Sequence, residues 1–133
     1  MAGAKRTMAQ IDAEVPWDNA PMAIAAVTPQ LARDLGVART TVTATDAAVG
    51  HTPAHALQEW TWSRLQELLD QGEIWRRADG RLVTFHELDG RFFIAVLAQV
   101  PGDRLGVVTL FQNSGGRQGG YVAKQLRGAV RIK

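Results

Sequence analysis

The chain has no cysteine, so disulfides and thiolate metal sites are excluded, and a reducing compartment is compatible with it. No apolar run reaches the roughly 18 residues of a membrane-crossing helix, and no secretory apolar core follows the opening MAGAKRTMAQ. There is no internal repeat, and no low-complexity tract beyond a glycine cluster near the end. Acid is missing from one whole region: every Asp and Glu occurs at or before Asp103.

What is present is ordinary for one globular domain with a modest core. The chain has 133 residues, 46% hydrophobic and 21% charged. Its net charge of +2 hides an asymmetry. Up to Asp103 acids outnumber bases, whereas Arg104, Arg117, Lys124, Arg127, Arg131 and Lys133 follow with no acid among them. Clustered positive charge attracts a polyanion, of which nucleic acid is the commonest. A solvated, solubilising tail is the plainer explanation of the same pattern.

Residues 1–21 read as a weakly ordered arm of small residues and mixed charge, with prolines at Pro16 and Pro21. Trp17 is a large apolar group in that setting and suggests docking, on this domain or on another chain. Residues 22–133 form the single expected domain, ending in a basic tail over 113–133.

Within it, TPQLARDLGV predicts a short helix: Thr28 caps it, Pro29 opens it and Gly36 closes it. ARTTVTAT, rich in β-branched residues, predicts a strand over Arg39 to Thr45. HTPAHALQEWTWSRLQELLDQG is the clearest helix, capped by Thr52, opened by Pro53 and stopped by Gly72. Leu57, Trp60, Leu65, Leu68 and Leu69 give it an apolar stripe, with Trp62 at the edge.

After Gly72 the pattern alternates. EIWRR, RLVTFHE, RFFIAVLAQV and RLGVVTLFQ are four strands, joined by the turn signals ADG, LDG and PGD. Short connections make neighbours antiparallel, and the third run, apolar on both faces, is central. YVAKQLRG predicts a short helix before VRIK. The expected fold is α+β: N-terminal helices packed on a four-stranded antiparallel β-meander.

Two imidazoles stand four apart in HTPAH, but Thr52 and Pro53 put His51 outside the helix, and no third ligand is suitably spaced. A metal site is therefore not expected. Histidine remains the natural proton-transfer group near neutral pH, and RNA cleavage without metal needs a base, a phosphate-stabilising cation and an acid. His55, Arg91 and Thr109 are candidates, with Arg81 and His86 in reserve. Taken singly, each has an ordinary structural explanation as an exposed strand-start arginine, a strand threonine or a surface histidine. The cluster SGGRQGGYVAK departs from the phosphate-loop pattern GxxxxGK[ST], because Lys124 falls four residues after Gly120 and no hydroxyl follows. A hinge that lets the basic tail move against the sheet is the expectation instead.

Three stretches in order, HTPAHALQEW, LLDQGEIWRRADGRLVTFHELDGRFFIAVLAQ and GVVTLFQNS, resemble the C-terminal domain of phage Mu F-like minor head proteins. That domain is grouped with the barnase–EndoU–colicin–RelE-like fold of small nucleases. The similarity spans roughly residues 42–133. It implies a barnase/RelE-like domain encoded by a phage or prophage, acting in the bacterial host cytoplasm or carried in the virion. It further implies metal-independent RNA cleavage or RNA binding, without a cofactor. On that pattern His55, or His51, is the general acid/base, Arg91 the phosphate clamp and Thr109 the hydroxyl of the last strand. Nucleic acid, RNA ahead of DNA, is the implied partner, held by Arg81, Arg117, Lys124, Arg127, Arg131 and Lys133. Phage structural proteins or an inhibitory protein are further implied partners, and no membrane is. The alternative is a non-catalytic, virion- or head-associated structural or adaptor protein whose termini grip neighbouring subunits or DNA.

Overall fold

The computed structural model describes residues 23–44, 59–112 and 120–133, without the side chains of residues 59–63 and 111. The expected arm with Trp17, the helix start at Thr52 and Pro53, Leu57, and the side chains of Trp60 and Trp62 lie outside what is described.

The first elements are strand β1 (Ala23–Ala26), helix α1 (Pro29–Leu35) and strand β2 (Thr41–Ala44). Thr28 caps α1 as its sequence predicts: its hydroxyl accepts from the Leu31 N–H at 3.1 Å. Gly36 closes it with φ 82°, a conformation glycine adopts without strain.

Helix α2 (Glu59–Gln71) is the main packing element, burying Leu65, Leu68 and Leu69 almost completely. Each such burial contributes about 1.5–3 kcal/mol relative to exposure. Gly72 ends the helix at a close approach to the sheet. A Cβ there would stand 2.7 Å from the carbonyl oxygens of both Leu68 and Phe85, so only glycine fits.

The chain then runs through β3 (Glu73–Arg76), β4 (Leu82–Leu88), β5 (Arg91–Val100) and β6 (Arg104–Gln112), each antiparallel to the next. Asp89 and Gly90, both at positive φ, make the two-residue turn between β4 and β5. Last come α3 (Gly120–Leu126) and β7 (Val130–Arg131).

The expectation of a four-stranded meander with helices before it is corrected here. These four strands are the middle of a seven-stranded mixed sheet in the order β1-β2-β6-β5-β4-β3-β7. β2 joins β6 in parallel, β1 joins β2 antiparallel, and β7 extends the other side by pairing with β3. Three strands were thus missing from the expected sheet. Ala23–Ala26 carries no strong strand propensity, and β2 and β7 are recruited by pairings distant in sequence.

Both faces of the sheet are covered. On one, α1 and α2 close over Ile74, Leu82, Phe93, Ala95, Leu97 and Leu105. On the other, Val122 of α3 packs against Val83, Phe85, Ile94 and Val96. Strand β5 alternates between these two cores, which makes it the apolar central strand its sequence suggests. These are called the α2 face and the α3 face below.

Candidate functional site

Strand alternation sorts the stretch EIWRR between the faces. Ile74 and Arg76 belong to the α2 face, where Arg76 Nη2 donates to the Leu35 carbonyl at 2.9 Å and caps the end of α1. Glu73 and Trp75 belong to the α3 face, and Arg77 continues on their side. The arginine doublet is thereby split. Arg76 is structural, and Arg77 reaches α3, where its Nη1 donates to Gln125 Oε1 at 2.7 Å.

Arg77 and α3 frame an open groove of about 360 Å³, lined by Arg77, Ala78, Asp79, Lys124, Gln125 and Arg127. Lys124 and Arg127 are exposed on α3 and the turn after it. Asp79 forms an ion pair with Arg77 and also accepts from the Arg81 N–H at 3.0 Å. One carboxylate thus stands among three cationic side chains in the groove, with exposed Arg81 next to it on the same turn. The balance is cationic. Burial pushes the Tyr121 phenol above its ordinary range, while the nearby Arg77 guanidinium pulls it down in part.

Sequence reasoning reached Lys124, Arg127 and Arg81, and the structure gathers these around the β3–β4 turn and α3. It missed Arg77 and Gln125. The signal for Arg77 was available, since a doublet just before a turn must send its two side chains to opposite faces.

Arg131 pairs opposite Trp75 on β7 and lies 3.8 Å from Glu73, with its Nε donating to the Lys133 carbonyl. Lys133, expected to bind nucleic acid, stands apart from the groove. Its Nζ donates to the carbonyls of Leu69 and Asp70 at 2.6 and 2.9 Å, capping the C-terminal end of α2 where carbonyls lack helical partners. The moving tail is corrected over its described part, because residues 120–133 form a helix and an edge strand fixed to β3. Ile132 and Lys133 continue that pairing through backbone bonds with Ile74. Arg117 and the glycine cluster before Gly120 lie outside the described residues.

The expected catalytic set fares differently. His51 and His55 lie outside the described residues. Arg91 starts β5 opposite Leu88, on the α2 face, and is exposed. Thr109 pairs with Val96, on the α3 face. Arg91 and Thr109 therefore stand on opposite faces, and the structure does not bring them together. Nor does Arg91 join the groove, because the two turns flanking the seven-residue β4 are roughly 20 Å apart. His86, a reserve candidate along with Arg81, pairs opposite Phe93, over whose ring the Arg64 guanidinium sits at 5.5 Å. Arg64 also bonds Asp89 at 2.7 Å, so the charges at that end tie α2 to the β4–β5 turn.

The Arg77–Lys124–Arg127 groove is thus the place where predicted cations and geometry coincide. Compared with known proteins, the chain matches no family model, no curated protein sequence and no solved structure, so the resemblance noted above rests on its motifs alone.

Proposed function

We propose that this domain binds nucleic acid through its phosphates, at the groove between the β3–β4 turn and α3. The observation that supports this reading is the grouping of Arg77, Lys124 and Arg127 around one open concavity beside Arg81. Arg77 is held ready by Gln125 and Asp79, while Lys124 and Arg127 are exposed. A site of this kind neutralises phosphates, releases their counterions and depends strongly on salt. RNA is the favoured class, following the resemblance to small RNA-directed nucleases. Binding is favoured over cleavage because Arg91 and Thr109, two of the groups expected to share a cleft, occupy opposite faces of the sheet.

The test is retention of a labelled RNA at several salt concentrations, with EDTA present throughout. Wild-type protein should bind, with affinity falling steeply as salt rises. The Lys124→Ala, Arg127→Ala double variant should bind more weakly, and the slope of log affinity against log salt should drop by about two. Salt-independent binding, or a double variant that binds like the wild type, overturns the groove. RNA cleavage by the wild type, lost in a His51→Ala, His55→Ala variant, would restore the enzyme reading.

A further inference from the structure

The groove is not lined by charge alone, and its surroundings say which form of nucleic acid it suits. We infer that it takes single-stranded nucleic acid in preference to duplex, using Trp75 and Tyr121 as surfaces on which unpaired bases stack. This rests on the reading of the groove as a phosphate site.

Placement is the first support. Trp75 and Arg77 are two apart on an extended run, so their side chains leave the same face roughly 6.5 Å apart. Tyr121 lies four residues before Gln125 and three before Lys124 on α3, which puts it beside both on the helix surface. Gln125 in turn is bonded to Arg77. Across the sheet edge Arg131 stands opposite Trp75. A band of alternating rings and cations therefore runs from β7 over β3 to α3.

Accessibility is the second. Both rings are half-buried and packed on the Val83, Phe85, Ile94 and Val96 core, so each residue keeps part of its surface open to solvent. The indole N–H of Trp75 is already taken, donating to Glu73 Oε1 at 3.1 Å. What Trp75 still offers a ligand is π surface and not a polar group. In a duplex the bases are stacked on each other, so rings beside a phosphate site are useful only to unpaired bases. A purely electrostatic groove would favour the duplex, whose charge density is higher.

The experiment measures the anisotropy of one labelled 12-nucleotide RNA, alone and annealed to its complement, with wild type, Trp75→Leu, Tyr121→Leu and Tyr121→Phe. Wild type should bind the single strand at least tenfold more tightly than the duplex. Tyr121→Leu and Trp75→Leu should each lose about tenfold on the single strand and little on the duplex. Their salt slopes should stay unchanged, because no cation has been removed. Tyr121→Phe keeps the ring and should keep the affinity. If Trp75→Leu fails to fold by circular dichroism, Tyr121→Leu decides. Equal wild-type affinity for single strand and duplex overturns the inference, as does full single-strand affinity in Tyr121→Leu. Either result with salt-sensitive binding intact leaves the phosphate groove standing. No binding of either RNA by the wild type removes groove and inference together.

Discussion

Tyr121 is the only tyrosine in the chain, so phenolate absorbance reports on a single group at the edge of the groove. Burial disfavours its charged form and holds its folded pKa above the ordinary 10.0, against a smaller lowering by Arg77. The sign follows from linkage. The stability contributed by the neutral phenol is intact below about pH 10 and is lost as pH rises through the folded value, because the unfolded chain ionises first. A spectroscopic titration of native protein should therefore show a higher midpoint than one in denaturant. Arg77→Gln should raise the native midpoint further, by removing the nearby positive charge. A native midpoint at or below the denatured one would refute the burial of this ring.

Between elements, the least obvious contact joins α2 to β1. The Gln66 side chain is buried, accepts from the Ala26 N–H at 2.9 Å and donates to the Ala26 carbonyl at 2.8 Å. It thus serves an edge strand as a neighbouring peptide would. Replacing it by leucine keeps the volume and strands two buried backbone groups. Gln66→Leu should cost about 2–4 kcal/mol in urea unfolding, with faster hydrogen exchange at Ala26 than at β5 amides. A loss below about 0.5 kcal/mol would contradict that role.

The same contact explains what could be read in advance. The caps Thr28 and Gly36, the leucine spacing of α2 and the Asp-Gly turn at Asp89 are local signals, and the elements they predict are present. Ala23–Ala26 has no local signal, because its strand state depends on Val42 beside it and on Gln66 forty residues away. The contacts of Lys133 are hidden from the sequence for a similar reason. A charge count sees only a cation, whereas its ammonium bonds carbonyls at the end of α2. At the candidate site the exposed cations on α3 were legible one by one. Their grouping with Arg77 depended on the packing of α3 against the sheet, which composition does not encode.

At the scale of the molecule, the sheet is assembled from pieces remote in the chain. The parallel pairing of β2 with β6 joins residues about sixty positions apart, and β7 returns to β3 from a similar distance. Such long-range pairing gives a high contact order, and folding is expected to be correspondingly slow.

Segment 120–133 touches three parts of the molecule in turn: α3 lies on one face, β7 extends the edge, and Lys133 grips the helix on the opposite face. If RNA seats at the groove as proposed and holds α3 against the sheet, amide exchange should slow at the C-terminal end of α2, where Lys133 is bonded on the far side of the sheet, and an unchanged exchange pattern there on saturation would show the ends to be independent. A cargo on one side of the domain would then be sensed on the other without any change of shape.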